Sequence, residues 1–245
     1  MTRLIAPAKL TVSLKITGVR DDGYHLIDAE MESLDLFDEL HLTDGDGLEI
    51  VDAGSGLAVD AGPDNLVSRA LSLVNRSARI RLVKRIPAGA GLGGGSSDAA
   101  AILRWAGGVD PVTAAQVGAD VAFCLVGGRA QVTGIGEVIR SLEFLDRTYT
   151  LLIPPFGVST PAVYRRWDEM GGPTGTGDND LEAAAISVCP PLAEWADALS
   201  QATGTRARLA GSGGTWFVEG SHPEAAHRGR QAVVVRTFRG SPEPG

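Results

Sequence analysis

The chain has 245 residues, of which 44% are apolar, and its 22 basic and 30 acidic residues give a formal net charge of −8. This length suffices for a substantial core in one large domain or two small lobes, and the apolar content excludes a disordered chain. The negative charge offers no basic field to nucleic acid or to an anionic membrane, so an anionic ligand must be held by local donors.

The N-terminus and the cysteines bear on location and chemistry. Cys124 and Cys189 are too few for a disulfide framework or a structural zinc site. The chain enters a strand pattern at once, without the apolar region of a signal peptide, and no apolar stretch approaches the roughly 20 residues of a membrane-spanning helix. We therefore expect a cytoplasmic protein without a membrane or nucleic-acid partner.

The first elements in chain order are strands. Apolar and polar side chains alternate over 10–17, which predicts a half-buried strand that ends at the turn signal 21–23. Residues 38–42 and 48–51 predict two further short strands, separated by a turn at 44–47.

A helix and a second run of alternation follow. Asn65 is suited to cap a helix that reaches Leu73, and 79–86 alternates again as a strand. The long glycine-rich loop 87–97 then opens into a helix-favouring run over 98–105. Strand, glycine loop and helix are thus consecutive.

The remaining elements are mixed. The patterns predict a helix over 192–199 and strands over 206–209 and 215–218. A strand-rich beginning and a mixed remainder predict an α+β fold in two lobes, 1–148 and 149–245.

The strongest local signal for function is the glycine-rich segment 89–97. Five glycines in seven residues let the backbone approach a ligand closely, and backbone N–H groups at a helix N-terminus form an anion cradle. Ser96 and Ser97 add hydroxyl donors, and Ser97 could also face a magnesium ion. A flexible linker is the alternative, but linkers seldom lie between a strand and a helix.

Two other phosphate sites fit this segment less well. No Lys-Ser or Lys-Thr pair ends it, which excludes a Walker loop. Gly89, Gly91 and Gly94 match a dinucleotide fingerprint, which requires a second strand ending in an acid about 20 residues farther on. Asp110 lies near that distance, but 105–109 has no strand pattern.

Other candidates are individually weak. Lys9 at the start of the first strand would ordinarily be a solvated charge, and Asp120 before an apolar run would ordinarily cap a helix or a turn. His25 after a turn would ordinarily lie on the surface, and 211–215 would ordinarily form a tight turn.

Taken together and in this order, the segments resemble the GHMP family of small-molecule kinases. Residues 7–10 resemble the family's opening motif, 87–100 its phosphate loop and 210–215 its third motif. Four further segments are similar to those of members whose acceptor alcohol carries a cytidyl group. These segments are 18–25, 118–123, 134–137 and 179–182.

The resemblance implies a two-lobed GHMP-kinase-like fold with ATP, Mg²⁺ and the acceptor in the cleft between the lobes. Asp120 would accept the proton of the acceptor hydroxyl or orient that group, and Lys9 beside it would offset charge on the transferring phosphoryl group. The residues expected near the nucleotide are Asn65, Lys84, Gly89, Gly91, Leu92, Gly93, Gly94, Gly95, Ser96 and Ser97.

The resemblance also implies how a cytidyl substrate would be held. His25 would hydrogen-bond the cytosine edge, Tyr24 and Tyr164 would stack on the two faces of the ring, and Thr160 would extend the same wall. Thr11 is a further expected substrate contact, although the family usually has an asparagine there. The resemblance leaves the metal ligands open and is compatible with a monomer or a weak homodimer.

Two alternatives remain open at this point. One is a GHMP kinase for another alcohol, such as homoserine or a mevalonate-type compound, which would need no stacking residues. The other is a non-catalytic nucleotide-binding protein of the same fold, suggested by a segment 105–118 that is shorter than in relatives. A close approach of Lys9 and Asp120 across an open cleft would favour an enzyme.

Overall fold

The computed structural model describes residues 1–53, 60–174 and 177–239. The strands are β1 (Thr2–Val19), β2 (His25–Thr43), β3 (Gly47–Asp52), β4 (Arg79–Lys84), β5 (Arg129–Gly134), β6 (Val138–Ser141), β7 (Thr148–Leu152), β8 (Arg208–Leu209), β9 (Trp216–Glu219), β10 (Ala226–His227), β11 (Arg230–Gln231) and β12 (Val233–Arg236). The helices are α1 (Leu66–Leu73), α2 (Gly94–Trp105), α3 (Pro111–Ala115), α4 (Ala119–Val126), α5 (Thr160–Glu169), α6 (Glu182–Val188) and α7 (Leu192–Thr203). Both element types are well represented, which confirms the α+β class.

The larger sheet has the strand order β3-β4-β2-β5-β6, with β1 paired to β2. The β3–β4 pair is parallel, and the other pairs in this sheet are antiparallel. The long strand β2 pairs with β5 over its first half and with β4 over its second half. This strand therefore connects the β3–β4 side of the sheet to the β5–β6 side.

The smaller sheet has the order β12-β7-β9-β8 and is antiparallel throughout. It is built from residues after 147, whereas the larger sheet ends at 141. Isolated bridges join Leu14 to Asn179 and Leu34 to Thr237, so β1 and β2 contact the C-terminal part directly. The division into lobes at 148 stays a proposal.

The N-terminal strand β1 carries a charged and a polar side chain into the protein interior. Alternation of burial holds over 12–17, but 8–12 is buried on both faces because a second, smaller core packs there. That core unites Leu10 of β1 with Leu92 of the glycine segment and with Phe217 of the smaller sheet. Lys9 and Thr11, which lie between apolar neighbours on β1, are consequently buried too.

Most element predictions are confirmed, with two differences. The predicted strand at 38–42 is only the end of β2, which begins at His25. Its first half alternates buried Ile27, Ala29 and Met31 with acidic residues, of which Glu30 and Glu32 pair with arginines. This alternation is a strand signal that the sequence reasoning missed. The second difference is α2, which begins at Gly94 rather than at 98. Within the described residues, no helix combines the length and the apolar character needed to cross a membrane.

Candidate active site

Two cavities meet at the N-terminus of α2. One, of about 400 Å³, is lined by the glycine segment together with Asn65 and Lys84. The other, of about 880 Å³, is bounded by β1, by the start of β2, and by α4 and α5. Gly91 and Ser96 line both, so a group bound at this junction is accessible from either side.

Two glycines of the segment are required by close packing. Gly91 has φ +79°, and a Cβ there would lie 2.5 Å from the carbonyl oxygen of Gly213. Gly93 has φ +66°, and a Cβ there would lie 2.6 Å from Cγ of Lys9. Left-handed conformations and such short approaches exclude a side chain. The amides of the first turn of α2 then face the cavities without side chains between, which suits a phosphate.

The first turn of α2 gives Ser97 a partner within the protein. Its side chain is fully buried, and its hydroxyl donates a 2.6 Å hydrogen bond to the carbonyl oxygen of Pro7. This hydroxyl holds α2 against β1, and the expected contacts of Ser97 with ATP and magnesium stay predictions. Ser96, one residue earlier and therefore about 100° around the helix, is the serine that lines both cavities.

Leu92 has a structural role in addition to its predicted contact with the nucleotide. Its side chain packs in the smaller core, and its carbonyl oxygen accepts a 2.9 Å hydrogen bond from the backbone N–H of Lys9. Leu92 thus anchors the glycine segment to β1, and only its backbone is left to approach a nucleotide. Asn65 caps α1 by accepting a hydrogen bond from the Val67 N–H at 2.9 Å, and it lines the smaller cavity as well. Their contacts with ATP stay predictions.

Lys84 lies in a buried charge cluster beneath the glycine segment. Its ammonium forms ion pairs with Asp38 and with Asp98, the latter at 2.7 Å, and all three side chains are at most 3% exposed. Burial would lower the Lys84 pKa, but Asp98 and Asp38 together raise it above its ordinary value. Burial raises the pKa of Asp98 to about 7, with Asp38 adding to the rise and Lys84 opposing it.

The cluster joins β2, β4 and α2, and so fixes the helix end that forms the cradle. Both carboxylates already bind the Lys84 ammonium. Its contact with the nucleotide stays a prediction. Sequence reasoning missed the cluster, although it left a signal. Lys84 occupies the same face of β4 as Ile80 and Leu82, where a lone charge requires a buried partner.

Lys9 and Asp120 meet in the larger cavity, as expected. The Lys9 ammonium lies 3.2 Å from a carboxylate oxygen of Asp120 and donates a 3.0 Å hydrogen bond to the hydroxyl of Thr11. Lys9 is 5% exposed, whereas the Asp120 side chain is 35% exposed and open to a ligand. The shortened segment before it contains only the five-residue helix α3, yet α4 still presents Asp120 in its first turn.

Thr11 has a defined position and a partner within the protein. It is buried beside Lys9 and lines the larger cavity, where it helps to hold the ammonium. Its contact with a substrate stays a prediction.

The far wall of the larger cavity is one face of α5. Thr160, Tyr164 and Asp168 are four residues apart and so lie on the same side of the helix. His25, the first residue of β2, packs against this face with its ring 4.8 Å from that of Tyr164. Its Nε2 lies 2.8 Å from a carboxylate oxygen of Asp168. The structure thus brings His25, Tyr164 and Thr160 to one wall.

Other side chains complete this wall. Tyr24 lines the same cavity and is 59% exposed, as an open stacking face would be. Burial, with a smaller effect of the Asp120 charge, raises the pKa of Tyr164 above its ordinary value. Sequence reasoning missed Asp168 and also Ser212, whose hydroxyl lies 2.7 Å from that of Thr160. The available signal for Asp168 was its spacing of four residues from Tyr164, which itself follows Thr160 by four.

Cationic side chains supply the local donors that the acidic chain requires. Arg69 and Arg165 line the larger cavity with Lys9. Arg69 is held in place by donating a 3.0 Å hydrogen bond to the carbonyl oxygen of Gln116. The cavity also holds the carboxylates of Asp120, which pairs with Lys9, and Asp168, so the two arginines are its donors for an anionic ligand despite the net charge of −8.

Comparison with known proteins identifies the same family as the motifs in the sequence. The GHMP kinases N terminal domain matches residues 65–128, and the GHMP kinases C terminal domain matches residues 160–239. The chain is 39% identical to 4-diphosphocytidyl-2-C-methyl-D-erythritol kinase of Paracoccus denitrificans, covering 88% of this chain and 85% of the relative. It is 36% identical to the enzyme of that name from Pelotomaculum thermopropionicum, covering 96% of this chain and 97% of the relative.

Solved structures agree with this assignment. A crystal structure of 4-(cytidine 5′-diphospho)-2C-methyl-D-erythritol kinase superposes with a TM-score of 0.77 at 30% identity, covering 96% of this chain and 98% of that one. Homoserine kinase from Cytophaga hutchinsonii superposes with a TM-score of 0.65 at 19% identity, covering 100% of this chain and 96% of that one, which shows a shared fold alone.

Proposed function

Because the chain belongs to the GHMP kinase family, we propose that it transfers the γ-phosphoryl group of ATP to the 2-hydroxyl of 4-diphosphocytidyl-2-C-methyl-D-erythritol. Relatives that bear the name of this kinase cover nearly the whole chain, whereas the homoserine kinase shares only its fold. The reaction belongs to the non-mevalonate route to isoprenoid precursors.

The observation that carries the proposal is the Lys9–Asp120 pair beside the junction of the two cavities. ATP bound along the glycine segment would bring its γ-phosphate to Gly91 and Ser96, and the acceptor would enter from the larger cavity. Asp120 then orients the acceptor hydroxyl and takes its proton. The Lys9 ammonium and the backbone amides of α2 stabilise the charge on the transferring group.

The residues at the junction fit a magnesium ion that enters with ATP. Mg²⁺ is usually held by phosphate oxygens and one or two carboxylates rather than by an all-protein cage. Within the described ranges no cluster of three or more His, Cys, Asp or Glu side chains forms such a cage. The Ser96 hydroxyl, which lines both cavities, is the protein oxygen that would hold the ion, and this leaves the Asp120 carboxylate for the acceptor proton. When bound, Mg²⁺ would neutralise phosphate charge.

The wall formed by α5 supports the cytidyl part of the proposal. Tyr24 and Tyr164 provide ring faces, and His25 provides a polar edge, in a cavity that a substrate without a base would leave unfilled. Thr160 lies on the same wall. Location in the cytoplasm and a monomer or weak homodimer remain expectations from the sequence.

The test is ADP release by the purified protein with ATP and Mg²⁺ and, in separate reactions, the cytidyl compound, homoserine or mevalonate. We expect turnover only with the cytidyl compound. Asp120→Asn should lower kcat about 100-fold or more with ATP affinity nearly intact, because the carboxylate acts on the acceptor proton. Asp197→Asn, at an exposed position of α7, is the control with the same change of charge. Turnover of homoserine or mevalonate in place of the cytidyl compound would overturn the acceptor assignment, and near-normal kcat in Asp120→Asn would overturn the role of Asp120.

A further inference from the structure

We propose that Asp168 is a positioning residue that sets the tautomer of His25 and thereby makes the larger cavity select cytosine over uracil. The inference rests on the proposed function, because it assumes that a pyrimidine base occupies the wall formed by α5. Its evidence is the hydrogen bond between His25 and Asp168 and the packing that holds the ring.

The ring of His25 is fixed from three directions. Tyr164 lies 4.8 Å away at an interplanar angle of 45°, and Trp167 lies 5.5 Å away in an edge-to-face arrangement. The third restraint is the 2.8 Å contact of Nε2 with Asp168. The His25 side chain is only 10% exposed, whereas that of Asp168 is 49% exposed. The histidine is therefore part of a built wall, and the carboxylate closes that wall from its outer side.

The contact with Asp168 determines which ring nitrogen carries the proton. A carboxylate can only accept, so Nε2 must be the N–H donor of this bond. In a neutral imidazole the other nitrogen, Nδ1, is then an acceptor. Among the described residues Nδ1 has no hydrogen-bond partner, and His25 lines the larger cavity. An acceptor is thus available to a ligand there.

An acceptor at this point distinguishes the two pyrimidines. Cytosine carries an exocyclic amino group, a donor, where uracil carries a carbonyl oxygen, an acceptor. The amino group of cytosine can donate to Nδ1, but the carbonyl oxygen of uracil would face a lone pair and leave both atoms unpaired. A site built to bond one group rejects the analogue that lacks it, because its own polar atom is left unpaired.

Two variants and a matched control test this role. Asp168→Asn keeps the shape but can both donate and accept, so it no longer dictates the His25 tautomer. Asp168→Glu retains a carboxylate and should restore part of the effect. Glu169→Gln is the control, because Glu169 loses the same charge on the same helix but pairs with Arg166 outside the cavity.

The measurement is kcat/KM for the cytidyl substrate and for the corresponding uridyl compound, with kcat and KM resolved. We expect Asp168→Asn to lower the cytidyl-to-uridyl ratio about tenfold, the equivalent of one hydrogen bond, through KM rather than kcat. Glu169→Gln should leave the ratio unchanged. A ratio in Asp168→Asn equal to that of the wild type would overturn the proposal, since a merely structural role would affect both substrates alike.

A second measurement does not depend on turnover. Long-range ¹H–¹⁵N correlation spectra of the wild-type protein report the tautomer of each of its four histidines, and the spectrum of His25→Gln identifies which signal belongs to His25. We expect the proton on Nε2, and a proton predominantly on Nδ1 would overturn the proposal. A wild-type protein that shows the expected tautomer but does not phosphorylate the cytidyl compound would instead refute the proposed function.

Discussion

Replacing Asp98 by asparagine should make the protein more stable at alkaline pH than the wild type. Asp98 lies with Asp38 and Lys84 in a site where all three side chains are at most 3% exposed. Above its raised pKa the site holds two carboxylates against one ammonium, and burial penalises the uncompensated charge. The amide of asparagine has nearly the same shape as a protonated carboxyl group but cannot ionise.

The magnitude follows from the pKa of Asp98. A rise from 3.8 to about 7 means that the folded protein keeps a proton that the unfolded chain has lost, so stability falls as pH increases between these values. Each unit by which the pKa is raised is worth about 1.4 kcal/mol, so the loss of stability between about pH 5 and pH 9 is on the order of a few kcal/mol. The asparagine variant lacks this loss, and its advantage over the wild type should grow across that range.

The assay is urea denaturation of wild type and Asp98→Asn at several pH values from about 5 to 9. Subtracting the two curves removes the contributions of titrating groups outside the cluster and leaves the proton uptake of the cluster itself. Asp197→Asn on the exposed surface of α7 should run parallel to the wild type. If the curves for Asp98→Asn and wild type also run parallel, the buried cluster does not hold a proton in the way argued.

Gly93→Ala should lower kcat strongly in the ADP-release assay, because the added Cβ would lie 2.6 Å from Cγ of Lys9 and displace that side chain. Gly95→Ala should retain activity, because no atom lies nearer than 3.6 Å to its added Cβ. Equal activity of the two variants would refute the steric argument. Ser97→Ala should lower the free energy of unfolding by about 1–3 kcal/mol, measured by urea denaturation, with little change in the KM for ATP. Ser96→Ala should instead increase the KM for ATP with little change in the free energy of unfolding. An increased KM for ATP in Ser97→Ala alone would contradict the assignment of Ser96 as the serine that faces the ligand.

Local patterns were reliable where one physical requirement dominated. Asn65 was identified as a helix cap because its side chain can satisfy a free N–H, and the structure has that hydrogen bond. The alternation in β1 and β4 identified their buried faces. The start of α2 was placed four residues too late, because glycine disfavours helix and packing against Lys9 and Ile86 overrides that preference here.

The family resemblance of the motifs, in their order along the chain, was enough to indicate a kinase, an ATP site and the pair of Lys9 and Asp120, because each motif reflects a chemical requirement that is local in sequence. What Ser97, Lys84 and Asp168 do was decided by the tertiary structure alone. Each is polar, and its role depends on which partner lies within about 3 Å. The partner is the carbonyl oxygen of Pro7 for Ser97, two buried carboxylates for Lys84 and the ring of His25 for Asp168. Those partners are 14 to 143 residues away in sequence, and only the packing of helices on sheets brings them within hydrogen-bonding distance.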